Sequence, residues 1–303
     1  MTSILNPDNR LFTLARLGRR PPSALAAIAV VFIMLALVLI PGQMLARFVV
    51  LLFPSGIQSV TDPISEIIGF LSIYLGLWVC LRFWSKRPFW SLGFEQQCVL
   101  QRVLRGGFIA GLMVVAMVAL AMIPGASVAP GELRTKGLAA VGSGLLTLLA
   151  TSVQSSAEEA LFRGWLLSVI GSRYGPWIGV MVSSLVFAMA HALNGPTLLG
   201  WLNLFLFGIF AAFYALSEGG LWGICVWHAV WNWAMGDLLG FATDGVPHTG
   251  LLISIRATGP DIVTGGAFGL EGGVAVTAVF LIAIGIIVMR TRRSGEGRLT
   301  STD

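Results

Sequence analysis

The sequence predicts an all-α protein of the polytopic membrane class, a helical bundle of about eight transmembrane helices, on three observations. Of its 303 residues, 56% are hydrophobic and only 11% are charged, where soluble domains carry about 25% charged residues. The mean hydropathy is +0.86. Apolar stretches about 20 residues long, the length that crosses a bilayer, recur along the chain. A core built from about 300 residues cannot hide so much apolar surface, so most of it faces lipid. Disorder, a coiled coil and a secreted disulfide scaffold are excluded on the same grounds. The 37 glycines fit the class, because glycine is more frequent in membrane helices than in soluble ones.

The spans are expected near 24–53, 63–84, 105–124, 138–162, 175–191, 198–217, 220–240 and 268–289. Residues 1–23 form a basic N-terminal tail, and the run that follows from Ala24 is too long and has the wrong exit for a cleaved signal peptide, so it reads as a retained anchor. Pro41-Gly42 makes this first span either one kinked helix or a span followed by an interfacial piece. Residues 24–136 carry the first three spans, and residues 137–240 the next four. Residues 241–267, rich in Gly, Asp, Thr and Pro, read as an extracytoplasmic loop, and residues 268–303 hold the last span and a basic tail. An even number of spans puts both termini on one side. Fifteen of the 19 Lys and Arg residues fall there, leaving Arg47, Arg134, Lys136 and Arg256 elsewhere, so both termini are expected in the cytoplasm.

The net charge of +5 and pI near 9.6 do not indicate a nucleic-acid partner, because the basic residues form short clusters between apolar runs, where they set topology. The bilayer is the partner that the composition demands. Cys80, Cys98 and Cys225 have no framework spacing and read as small apolar residues. Trp165, Trp222, Trp227, Trp231 and Trp233 read as an interfacial belt. Gly107 and Gly111 form a small-xxx-small pattern of the kind that brings helices together, but chance spacing accounts for such a pattern in a chain with 37 glycines.

In a chain this apolar, the informative residues are ionisable groups at membrane depth, each costing about 2.5–3.5 kcal/mol at a helix centre on insertion scales. Three places carry them: Glu158, Glu159 and Arg163 in the fourth span, His191 at the end of the fifth, and His228 with Asn232 in the seventh. His248, the remaining histidine, falls in the polar loop. Glu159 and Arg163 stand four residues apart on one helix face and can pair. Glu158, turned about 100° away, is left without a local partner and is a candidate general base. Phe187 lies one turn before His191, and His228 lies one turn before Asn232. Measured from the intervening turns at 1.5 Å per residue, Glu158, His191, His228 and Asn232 lie about 14–24 Å into the membrane from the cytoplasmic side, so they can meet around one cavity. A carboxylate and an imidazole can hold and deprotonate a water. A second imidazole and a carboxamide can donate to a developing oxyanion, which together makes amide hydrolysis without a covalent nucleophile. Ser155 and Ser156 lack the G-x-S-x-G context of a serine nucleophile.

These residues carry a family resemblance. Glu158-Glu159-Ala160-Leu161-Phe162-Arg163 is similar to the E-E-x-x-x-R motif, Phe187-Ala188-Met189-Ala190-His191 to F-x-x-x-H, and His228-Ala229-Val230-Trp231-Asn232 to H-x-x-x-N of the CPBP family of CAAX proteases and bacteriocin-processing enzymes, also called the Abi family. The motifs occur in family order, on separate expected helices, over about residues 145–240. The resemblance implies a CAAX-prenyl-protease-like core over residues 137–240 and an intramembrane endopeptidase. It makes Glu158 and His191 the water-activating pair and His228 and Asn232 the oxyanion hole, with Glu159, Arg163 and Phe187 in support.

No cofactor is expected. Zinc or another divalent ion held by Glu158, His191 and His228 is the alternative, disfavoured because H-E-x-x-H is absent and because an oxyanion role uses His228 and Asn232 more fully. The expected partner is a peptide or membrane-protein substrate, the expected location is the bacterial inner membrane, and the sequence does not speak to oligomeric state. Two other classes are weighed. A transporter would also bury Glu, His and Arg at mid-membrane, but it predicts repeats in both halves, whereas these groups sit only in the second. A non-catalytic scaffold or bacteriocin-immunity-type protein of the same fold would be expected to have lost a motif residue, and this chain has lost none.

Overall fold

The computed structural model describes residues 4–52, 58–123, 126–130, 137–243, 245–246 and 255–299. His248, Arg134, Lys136 and most of the loop around them lie outside the described residues. Eight helical segments stand where the eight spans are expected. Six of these are long and apolar enough to cross a membrane, namely Ala24–Val50, Val60–Ser85, Val99–Met122, Leu138–Tyr174, Leu198–Glu218 and Val274–Arg292. The other two are short. The fifth membrane helix, Pro176–Ala190, has 15 residues and so rises about 22 Å, less than the ~30 Å hydrocarbon layer. The seventh, Trp222–Trp233, is prolonged by a π-helical turn over Ala234–Leu238. Both short helices carry residues of the expected site.

The first helix is continuous from Ala24 to Val50, so the kinked-helix form applies. Pro41 has no N–H to give and crowds the carbonyl one turn earlier. A π-helical stretch over Met34–Leu39 immediately precedes it and takes up the mismatch. The fourth helix has a longer irregularity of the same kind: α-helix to Glu159, π-helix over Ala160–Leu167, then α-helix again to Tyr174. Every residue of that π stretch is buried. Widened turns of this type occur mostly at functional sites, and this one begins directly after Glu158-Glu159.

The fourth helix packs against the second, fifth and seventh, the seventh against the third, and the sixth against the fifth and eighth. The sixth helix is the innermost, with 67% of its apolar window buried against 22–33% for the other long helices. Among the described residues the strand pairing is small, with β1 (Ser127–Pro130) antiparallel to β2 (Ile255–Thr258). It ties the expected extracytoplasmic loop to the connection between the third and fourth helices.

The belt reading of the tryptophans is corrected for three of them. Trp165, Trp227 and Trp231 are fully buried, and each places its indole N–H on an acceptor inside the bundle: Ala27 O at 3.2 Å, Met113 Sδ at 3.3 Å and Glu271 Oε1 at 2.6 Å. A tryptophan can leave the interface when its one polar atom finds a partner in the core. The Gly107 and Gly111 pattern marks no close helix contact. A side chain at Gly111 would meet nothing within 4 Å and one at Gly107 only ordinary contacts, whereas a Cβ at Gly106 would lie 2.2 Å from the Gly223 carbonyl oxygen. The third and seventh helices therefore cross at Gly106 and Gly223. Gly106→Ala is expected to lower stability by about 1–3 kcal/mol through backbone displacement and Gly111→Ala to leave it unchanged or slightly raised. Thermal unfolding of the two variants in detergent measures the difference.

The N-terminal residues pack onto this bundle. Arg10–Ala15 forms a helix whose Leu11 and Phe12 are fully buried, and Phe12 needs the bare Cα of Gly171, where a Cβ would lie 2.2 Å from its ring. Asn9 caps the helix through its side-chain oxygen and donates to the Leu216 carbonyl at 2.8 Å, at the end of the sixth helix. Arg10 pairs with Glu95 at 2.6 Å, and the hydrogen bond from its guanidinium holds the Glu95 carboxyl below the usual range.

Candidate active site

The two adjacent glutamates of the fourth helix are placed differently. Glu159 is fully buried, as is Arg163, and they meet at 2.9 Å, the pairing that their spacing predicts. The same carboxylate oxygen of Glu159 also stands 2.9 Å from Nδ1 of His228. Glu159 therefore joins the fourth helix to the seventh as well as balancing Arg163. The Glu159 carboxylate, paired with Arg163, is an acceptor, so His228 donates through Nδ1–H, and its Nε2 is left to face the other glutamate. That nitrogen lies 4.0 Å from Glu158 Oε2. A carboxylate with the Arg163 charge opposite it fixes the tautomer and ring orientation of His228.

Glu158 is not isolated on its own helix, as the sequence reading has it. Gln154, one turn earlier, donates to Glu158 Oε1 at 2.5 Å, and Ser155 donates to Gln154 Oε1 at 3.0 Å. Gln154 is a site residue that the sequence reading missed. Its spacing of four residues from Glu158 was the available signal, since such pairs face each other on a helix.

His191 ends the fifth helix with φ −95° and ψ 7°, where the chain turns into a 3-10 segment over Ala192–Asn194. Its Nδ1 lies 2.9 Å from the Phe187 carbonyl oxygen. A carbonyl only accepts, so Nδ1 carries the proton and Nε2 is the basic nitrogen in the neutral ring. Helix termination at membrane depth is tolerated where the backbone lines a cavity. Here it does: His191 and Asn194 line an open cavity of about 250 Å³ together with Glu158 and apolar side chains of the first and second helices, among them Leu35, Leu39 and Phe70.

His228 and Asn232 line a second, much smaller cavity of about 20 Å³, room for about one water, with Phe187, Asn203, Phe207 and Glu271. The four expected site residues thus divide between two cavities, Glu158 and His191 in the larger, His228 and Asn232 in the smaller. The 4.0 Å approach of His228 to Glu158 joins them.

Phe187 does more than flank His191. Its ring stacks on Phe207 at 5.0 Å, contacts His191 at 4.7 Å, and carries the Arg163 guanidinium 4.6 Å from its centroid. Phe207, on the sixth helix, packs edge-on to His228 at 4.7 Å. An aromatic wall of this kind excludes water from one side of the imidazoles and favours the charged Arg163 through its ring faces. Nothing in the sequence singled out Phe207 from the other aromatics of its helix.

Among the described residues, no group of three or more His, Cys, Asp or Glu side chains is arranged to hold a metal ion. Glu158, His191 and His228 are not such a group.

A family model described as type II CAAX prenyl endopeptidase Rce1-like matches residues 138–234. That range runs from the start of the fourth helix to the end of the seventh and contains Gln154, Glu158, Glu159, Arg163, Phe187, His191, Phe207, His228 and Asn232. The chain is also 34% identical over 120 residues to a protein of Escherichia coli described as an uncharacterized 24.3 kDa protein. The match covers 38% of this chain and 55% of that relative, so the chain spans about half the length of the curated relative it matches. The Rce1-like domain and the six apolar helices make this chain an integral membrane protein.

Proposed function

We propose, from the Rce1-like domain that residues 138–234 form, that the protein is an intramembrane endopeptidase that hydrolyses a peptide bond with an activated water. The observation that carries this reading is the 4.0 Å approach of His228 to Glu158, which supports a single reacting centre shared by the water-activating groups and the oxyanion donors. Glu158 is the general base, held by Gln154 on one oxygen. His191 shares the water through Nε2, the nitrogen left basic by the Phe187 carbonyl. The attack needs donors at the substrate carbonyl, and Asn232 supplies one through its carboxamide. His228 donates through Nε2 only as the imidazolium, because Nδ1–H is already committed to Glu159. Glu158 and Glu159 on either side provide the negative charge that an imidazolium requires, and with Arg163 the four groups then sum to zero, the cheapest state to bury. The proton taken by Glu158 is delivered to the leaving amine, as general acid–base catalysis demands.

The apolar cavity around Glu158 and His191 suits a hydrophobic or membrane-embedded peptide segment, and the substrate we infer is a membrane-bound protein or a leader-type peptide of a bacterial inner membrane. The test compares the new protein termini in membranes expressing wild-type protein or Glu158→Ala at equal levels. Termini that depend on Glu158 are expected, and they are expected to persist after thorough chelation of divalent metals. No Glu158-dependent terminus would overturn the protease reading in favour of a membrane scaffold, and loss of cleavage on chelation would restore the metal alternative.

A further inference from the structure

A peptide segment brought to Glu158 and His191 carries its own polar groups into the bundle. The smaller cavity, with room for about one water, admits no side chain, so the body of the substrate lies in the larger one. Much of that wall is apolar, with Leu35, Leu39, Phe70 and Ile73 on the first and second helices, and its polar lining residues are Glu158, His191 and Asn194. Main-chain N–H and C=O groups placed there leave water behind and are costly unless each finds a partner. Glu158 and His191 are committed to the hydrolytic water, and Glu158 Oε1 also to Gln154. Asn194 is the polar lining residue that the reaction above does not use.

Local structure places it. His191 ends the fifth helix, and Asn194 closes the 3-10 turn that follows, its N–H bonded to the His191 carbonyl oxygen at 3.0 Å. Side chains three residues apart in such a turn are eclipsed, so the Asn194 carboxamide stands on the same edge of the chain as the His191 ring. Gly195, at φ 67°, turns the chain away immediately afterwards. Asn194 is exposed, and among the described residues nothing is hydrogen-bonded to its carboxamide. A carboxamide offers N–H donors and a C=O acceptor together, the complement of a peptide group.

We propose that Asn194 binds the main chain of the substrate, pairing with a peptide group beside the scissile bond and so holding the reacting carbonyl over the water of Glu158 and His191. The inference rests on the protease reading. A contact of this kind selects an extended, unwound apolar segment over a helical one, whose peptide groups are already paired within the helix, and it is indifferent to the side chains on either side of the cut.

The test uses the full-length protein in lipid vesicles and a pool of apolar peptides about 20 residues long. The peptide cut fastest by the wild type is remade as a series in which each peptide group except the scissile one is replaced in turn by an ester, which has no N–H and is a weaker acceptor. Asn194→Ala is expected to slow cleavage of the all-amide peptide about 10-fold or more, with an unfolding temperature like that of the wild type. One ester beside the cut is expected to slow the wild type and to be cut no more slowly by Asn194→Ala, while esters elsewhere leave the full effect of the substitution in place. A binding arm needs no chemistry: Glu158→Gln is expected to retain the fluorescently labelled pool about 10-fold more tightly than the double variant Glu158→Gln, Asn194→Ala. Unchanged cleavage in Asn194→Ala, or the same loss with every ester, would overturn the role. If the wild type cuts no peptide, the protease reading fails and the binding arm decides: equal retention by the two variants, or none by either, overturns the main-chain contact.

Discussion

Glu158→Gln is expected to lower the rate of substrate cleavage by about 10³-fold or more while leaving the unfolding temperature close to that of the wild type. Glutamine keeps the shape of the side chain and can still exchange a hydrogen bond with Gln154, but it cannot take a proton from water. Removing a positioned general base costs about 10²–10⁴-fold on its own, and the loss is larger when the base belongs to a unit whose parts act together. Cleavage of an identified substrate by purified protein in vesicles, read beside thermal unfolding of the same preparation, separates loss of chemistry from loss of fold.

Arg163→Met is expected to destabilise the protein by about 3–5 kcal/mol, the usual cost of stranding one partner of a buried ion pair. Arg163 and Glu159 are both fully buried and 2.9 Å apart, so removal of the guanidinium leaves a carboxylate in the bundle core with its charge uncompensated. The double variant Arg163→Met, Glu159→Leu should recover much of this stability, because apolar replacement of a whole pair is often close to neutral. It should not recover activity, because Glu159 is the group that orients His228. Unfolding temperature and cleavage rate therefore part company in the double variant. If activity returned with stability, the role of Glu159 toward His228 would be refuted.

Much of this architecture was legible in the chain because lipid makes charge expensive. Glu158, Glu159, Arg163, His191, His228 and Asn232 stood out against an apolar background, and their helical spacing paired Glu159 with Arg163 before any coordinates were available. Two kinds of feature were not legible. The first depends on helix irregularity. Nothing in Ala160–Leu167 announces a π-helical stretch, and the crossing at Gly106 rather than Gly107 and Gly111 depends on rotations that a regular period does not encode. The second depends on partners distant in sequence. Trp231 reads as an interfacial residue until Glu271, 40 residues on, is placed against it, and Glu271 itself sits at the edge of an apolar run where a charge ordinarily marks a helix end. Cavities likewise have no sequence signature: four residues at one depth suggested one site, and the division of that site between two spaces follows from where Phe187 and Phe207 fill the gap.

The central claim is that Glu158, His191, His228 and Asn232 act as one hydrolytic centre. The measurement that tests it most directly is a double-mutant cycle on cleavage rate between Glu158→Gln, from the larger cavity, and Asn232→Ala, from the smaller. Residues that serve one transition state are strongly non-additive, so the double variant is predicted to be about as slow as Glu158→Gln alone. If the two losses instead multiply, the cavities act independently and the single-centre account is wrong.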